Sequence, residues 1–76
     1  MRCHLKYRHP VTHNELYFVD FRCSDNDELR PVGCMRHRVR FATIFETEHD
    51  AMVVALELVR LGFIDVKVVK SKCVSM

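Results

Sequence analysis

Cys34 and His37 stand three positions apart, a spacing at which one turn of chain can offer a thiolate and an imidazole to the same zinc ion. Cys3, His4, His9, His13, Cys23 and Cys73 are the other residues able to complete such a site, with His9, His13 and Cys23 the preferred further ligands. The chain has no CxxC and no second knuckle, whereas structural zinc sites usually bring two. Cys3 and Cys23 also fall on inward strand positions, where a thiol serves as a small core hydrophobe. Cys34 and His37 are therefore kept as metal candidates only, and no cofactor is expected. As nucleophile and base, the same pair lacks an oxyanion-hole loop, a glycine-rich phosphate loop and a paired-carboxylate cleft, so the expected protein is not an enzyme.

The cations carry a different chemistry. When the alternating segments are folded with their apolar sides inward, Arg2, Lys6, Arg8, Arg22, Arg36, Arg38, Arg40 and Lys67 gather outside, and only Asp20 and Asp65 oppose them. The remaining acids fall at Glu15, in the stretch 25–28 and in or just before the helical stretch (Glu46, Glu48, Asp50, Glu57), so a net charge of +2 conceals a bipolar molecule. Arg36, Arg38 and Arg40 form the central row of this basic face, with Lys6, Arg8, Arg22 and Lys67 around it. Phe18 lies on the same face, where a ring can stack on a base or sugar. Together they suit nucleic acid or another anionic partner, and loss of Arg38 is expected to weaken binding to every sequence and to flatten its salt dependence. Lysine and arginine also commonly coat the wet face of an antiparallel sheet with no ligand at all.

These residues need elements to hold them. Residues 36–45 (RHRVRFATIF), 47–61 (TEHDAMVVALELVRL) and 63–70 (FIDVKVVK) read as strand, helix and strand. Thr47 is placed as N-cap with Asp50 three residues on, and Gly62 follows the last apolar helical position, ready for a left-handed reversal. Upstream, residues 1–9 alternate, with Cys3, Leu5 and Tyr7 inward, and Pro10 ends the run. Residues 16–23 form a second strand with Tyr17, Val19, Phe21 and Cys23 inward and Phe18, Asp20 and Arg22 outward. Residues 24–35, dense in Ser, Asp, Asn, Pro and Gly, read as the longest loop, with at most a short edge extension through Val32.

The fold class that follows is a single small α+β domain, β-β-β-α-β, with a four-stranded, mostly antiparallel sheet and one long helix on one face. The third and fourth strands flank the helix and are expected to run parallel through a right-handed crossover. This strand-helix-strand portion resembles half of a ferredoxin-like unit, an arrangement shared by proteins of many functions.

At 100° per residue the helix has an apolar arc of about 220°, wider than one sheet can cover. Met52, Leu56 and Val59 lie on its surplus flank and need a cover beyond the sheet, either the first segment and the long loop folded back or a second copy of the chain; they are the expected protein interface of a homodimer. A different class of function uses the same flank, or an exposed edge strand: a small regulatory or inhibitory protein that docks on another protein. The chain of 76 residues holds one domain, and no run of about 20 apolar residues suits a membrane. Without an apolar leader near residue 1 the expected location is cytoplasmic, with the four cysteines as thiols.

Overall fold

The computed structural model describes residues 2–70, so Cys73 lies outside the described residues. It contains β1 (Cys3–Arg8), β2 (Glu15–Cys23), β3 (Leu29–Cys34), a 3-10 segment (Arg36–Phe41), α1 (Glu48–Arg60) and β4 (Ile64–Lys70). The strands form one open sheet in the order β3-β2-β1-β4, every neighbour antiparallel, with α1 packed on β4 and β1. The α+β class holds, and among the described residues no helix is long and apolar enough to cross a membrane.

The helix boundaries follow from local chemistry. The Thr47 hydroxyl accepts the Asp50 amide at 3.2 Å, satisfying one of the donors that the first turn leaves without a partner. Gly62 takes φ 98°, a backbone state costly for residues with a Cβ, and so turns α1 straight into β4.

The third strand is not where the alternation of 36–45 places it. Residues 24–28 close a tight hairpin instead: the Ser24 amide donates to the Glu28 carbonyl, the Asp27 amide donates to that of Ser24, and Asp27 adopts φ 60°. Leu29 can then pair with Cys23, and the ladder zips to Cys34 opposite Tyr17. Closing this short loop costs less chain entropy than carrying 36–45 back to the same edge, so the nearer partner wins. Pro31 and Gly33, which argue for a loop, are tolerated because β3 is an edge strand. The displaced Arg36–Phe41 segment forms 3-10 turns interrupted at Arg38.

The parallel pairing of a third and fourth strand is also corrected, because β3 and β4 lie at opposite edges. Of the stretch read as that third strand, only Phe45 makes a bridge, an antiparallel one: its amide and carbonyl both bond Cys3 on the side of β1 away from β4. Thr43 bonds the Phe18 carbonyl through its amide and that of Val19 through its hydroxyl. The stretch 43–45 thus occupies the fork where β1 and β2 part beyond Lys6 and Tyr17.

Between α1 and the sheet lie Leu5, Tyr7 and Phe18 with Leu58 of the helix itself, all almost fully buried, and Leu16, Phe21, Phe45, Val54, Ala55, Phe63, Val66 and Val68 pack around them. Phe18 therefore belongs to the core at 4% exposure and is not a stacking residue of the wet face. The outward assignment fails because the register shifts between Phe18 and Asp20, and one extra residue exchanges the two faces of a strand. Phe21, beyond the shift, faces the core as expected and meets Phe18 edge-on with ring centroids 4.9 Å apart.

Candidate functional site

The face of the sheet opposite α1 carries a cleft of about 490 Å³. Its floor is His4 and Tyr17, its sides are Lys6, Glu15, Val69 and Lys70, and the 3-10 segment overhangs it with Arg36, Val39 and Arg40. Register explains the floor. Counting back from the β1–β2 turn, Arg8 opposes Glu15 and Lys6 opposes Tyr17, so Tyr17 shares the outward face of Lys6. This signal was already present in the sequence, because a wet Lys6 requires a wet Tyr17 once the hairpin is counted. His4 sits behind, 5% exposed, its Nδ1 donating to the Thr43 carbonyl at 3.2 Å and its ring edge-on to Tyr17 at 6.0 Å.

The cleft concentrates positive charge. Lys6, Arg36, Arg40 and Lys70 face one carboxylate, Glu15, a formal +3 in one depression of a chain whose whole net charge is +2. Glu15 holds Lys6 at 3.4 Å and Arg8 at 3.5 Å, and Arg8 also meets Asp65 at 3.0 Å. The cations of the strands are therefore partly neutralised. Arg36, Arg40 and Lys70 have no carboxylate partner among the described residues, which leaves the overhang and the end of β4 as the electrostatically open parts. At the overhang the Arg40 guanidinium lies 5.0 Å from the centroid of the Phe41 ring, which is 59% exposed.

The expected site residues are thus divided. Lys6, Arg36 and Arg40 come together at the cleft. Arg8 is on the same face but is engaged by two acids, and Lys67 stands beside Lys6 on β4 without lining the cleft. Arg38 is exposed at the break of the 3-10 segment, and Arg22 opposes Arg30 on the β2–β3 ribbon, about 16 Å along the strand from Tyr17. A row of Arg36, Arg38 and Arg40 along one strand does not exist. Tyr17 and Phe41 supply the aromatic surface assigned to Phe18.

Cys34 and His37 gather no further ligands: among the described residues no group of three or more His, Cys, Asp and Glu side chains is placed to hold a metal ion. Cys34 instead donates its thiol to the Arg38 carbonyl at 3.3 Å, tying β3 to the overhang. Burial pushes its pKa up against the opposing pull of Arg38, which keeps it a thiol. Cys3 and Cys23 are likewise free thiols. On α1, Met52, Leu56 and Val59 are each more than half exposed.

Compared with protein-family models, with curated proteins and with solved structures, the chain finds no match.

Proposed function

We propose that the protein is a non-enzymatic binder of single-stranded nucleic acid, held in the cleft between the open sheet face and the 3-10 overhang. The observation that carries this reading is the pairing of Arg36 and Arg40, which have no carboxylate partner among the described residues, with the half-buried ring of Tyr17 and the exposed ring of Phe41. Phosphates need cations that are not already committed to carboxylates, and bases need ring faces on which to stack. The cleft is half open to solvent. His4 and Cys34, its nearest candidates for chemistry, are engaged with backbone carbonyls.

The test is binding of a short single-stranded oligonucleotide at several salt concentrations. The Arg36→Ala/Arg40→Ala double variant is expected to weaken binding to all sequences and to reduce the log-log salt slope by about 1 to 2, one for each phosphate left without its arginine. An unchanged slope removes the cleft as the site.

The second reading, a small regulatory or inhibitory protein docking on another protein, is favoured by the exposure of Met52, Leu56 and Val59. It predicts partner binding that is insensitive to salt and lost in Leu56→Asp.

A further inference from the structure

Of the large apolar side chains exposed among the described residues, Met52, Val53, Leu56 and Val59 all belong to α1. The helix sets Ala51, Val54, Ala55 and Leu58 against the sheet. At 100° per residue, Val59, Met52 and Leu56 then lie on one flank and Leu61 on the other. Leu61 lines a groove with Tyr7, Leu16 and Pro31, which identifies its flank as the one facing β2 and β3. The Met52, Leu56 and Val59 flank therefore faces the opposite way, out over the free edge of β4.

The two sheet edges are not alike. On β3, Pro31 and Gly33 weaken the edge as a template for another strand. On β4 there is neither proline nor glycine. An apolar helix flank and a strand edge without proline or glycine, though with Lys67, Lys70 and a bulge at Asp65, thus share one side wall of the molecule. Its length is that of a 13-residue helix, about 20 Å, and with helix and sheet stacked its height is also about 20 Å. A wall of that size is on the order of the roughly 500 Å² per partner that a specific interface must supply.

We propose that a second copy of this chain covers this wall, its β4 antiparallel to the first and the two α1 flanks in contact, on a two-fold axis passing beside Val66 and Val54. The two levels coincide. Counted from the Gly62 reversal, Val54 is eight residues back along a helix, about 12 Å, and Val66 is four residues on along a strand, about 13 Å. About that axis each layer is self-complementary. In the helix layer Leu56 meets Met52 of the second copy, and Arg60 in the last turn meets Glu48 in the first. In the sheet layer Val66 meets its own equivalent, and Lys67 meets Asp65, whose bulged φ of 51° accompanies its contact with Arg8 on the open face. Shifting the axis one residue toward the C-terminus would set Lys67 against Lys67, a second like-charge pair beside the Lys6–Lys67 pair already in the ladder.

The pairing makes one continuous eight-stranded sheet with both helices on one face and both clefts on the other. It does not depend on what the cleft binds. Val69 and Lys70 line the cleft from β4, so the two clefts lie next to the paired strands on either side of the axis.

Sedimentation equilibrium of the purified full chain, without nucleic acid, tests the proposal. The expected mass is twice 9.0 kDa at micromolar concentration. Leu56→Asp is expected to weaken association at least 100-fold. Val53→Asp, which adds the same charge on the side of the helix away from the sheet, should leave it within about 3-fold. Arg60→Glu should weaken association about 2- to 10-fold, and adding Glu48→Arg should restore it. Amide exchange across 66–70 should slow as protein concentration rises. A wild-type monomer at hundreds of micromolar overturns the proposal, including the case where a foreign protein proves to occupy the flank. So does a dimer that Leu56→Asp leaves intact, or one whose β4 amides exchange at the monomer rate. None of these results touches the salt-slope test of the cleft, so the two readings fail separately.

Discussion

The two faces of the sheet are made from the same strands, and Phe18 and Tyr17, adjacent in sequence, show how differently they are used. Phe18 lies between Phe21 and Phe45, its ring 4.9 Å and 6.1 Å from theirs, in a layer closed by α1. Tyr17 lies on the floor of an open cleft among Lys6, Arg36 and Arg40. The closed face is stabilised by removal of apolar surface from water, a gain proportional to area and insensitive to salt. On the open face the interactions act between charges in a half-solvated depression, where salt screens them and little folding energy is stored. Stability is therefore concentrated under α1, and the other face is the one proposed for recognition.

The sharpest way to break this comparison is to truncate both neighbours. Phe18→Ala should cost about 3–5 kcal/mol, as much as a core of this size supplies, and leave the chain largely unfolded by circular dichroism. Tyr17→Ala should fold normally and lose about 1–3 kcal/mol of oligonucleotide affinity as the stacking surface is removed. If the two losses are interchanged, the faces have been assigned the wrong way round.

Alkaline titration probes the closed face through Tyr7. Burial, with a smaller contribution from nearby Cys34, pushes the Tyr7 pKa up to about 12. In the unfolded chain the phenol ionises near pH 10, so its contribution is complete below about pH 10 and is lost as pH rises from there through about 12. Denaturant midpoints should fall across that window, and Tyr7→Phe should remove the Tyr7 share of the fall.

A smaller effect is expected at Gly33, where the closed face leaves no space. A Cβ there would collide with the Tyr7 hydroxyl and lie 3.0 Å from the Leu16 Cβ. Gly33→Ala should cost about 1–3 kcal/mol in thermal or denaturant unfolding while oligonucleotide binding by the folded fraction is preserved. Thr47→Ala, which removes a cap from the helix covering this face, should cost about 1 kcal/mol and likewise leave the cleft untouched.

How far each element could be anticipated depends on how local its cause is. The helix was legible because its N-cap, apolar arc and terminal glycine are properties of a short run of residues. In β1, Cys3, Leu5 and Tyr7 point inward as their alternation requires, and the surplus flank of Met52, Leu56 and Val59 is exposed as the width of the arc implies. Parity failed in β2 because a strand's two faces are exchanged by one added residue, and the register shift after Phe18 is fixed by pairing with β3, not by the residues of β2. The cleft was half legible. Lys6, Arg36 and Arg40 were candidates from their type, whereas Tyr17 and Phe41 became candidates only with the hairpin register and the 3-10 overhang in view.

Composition and periodicity alone determined that this chain is a small α+β domain with a basic surface and a helix too apolar for one partner. Those features depend on near neighbours and on burial averaged over a face. Tertiary structure decided which segment became the third strand, which of two adjacent aromatics entered the core, and which cations escaped neutralisation. Each of those outcomes is a competition between distant segments for one edge, one face or one carboxylate, settled by loop-closure entropy, strand register and the position of Glu15.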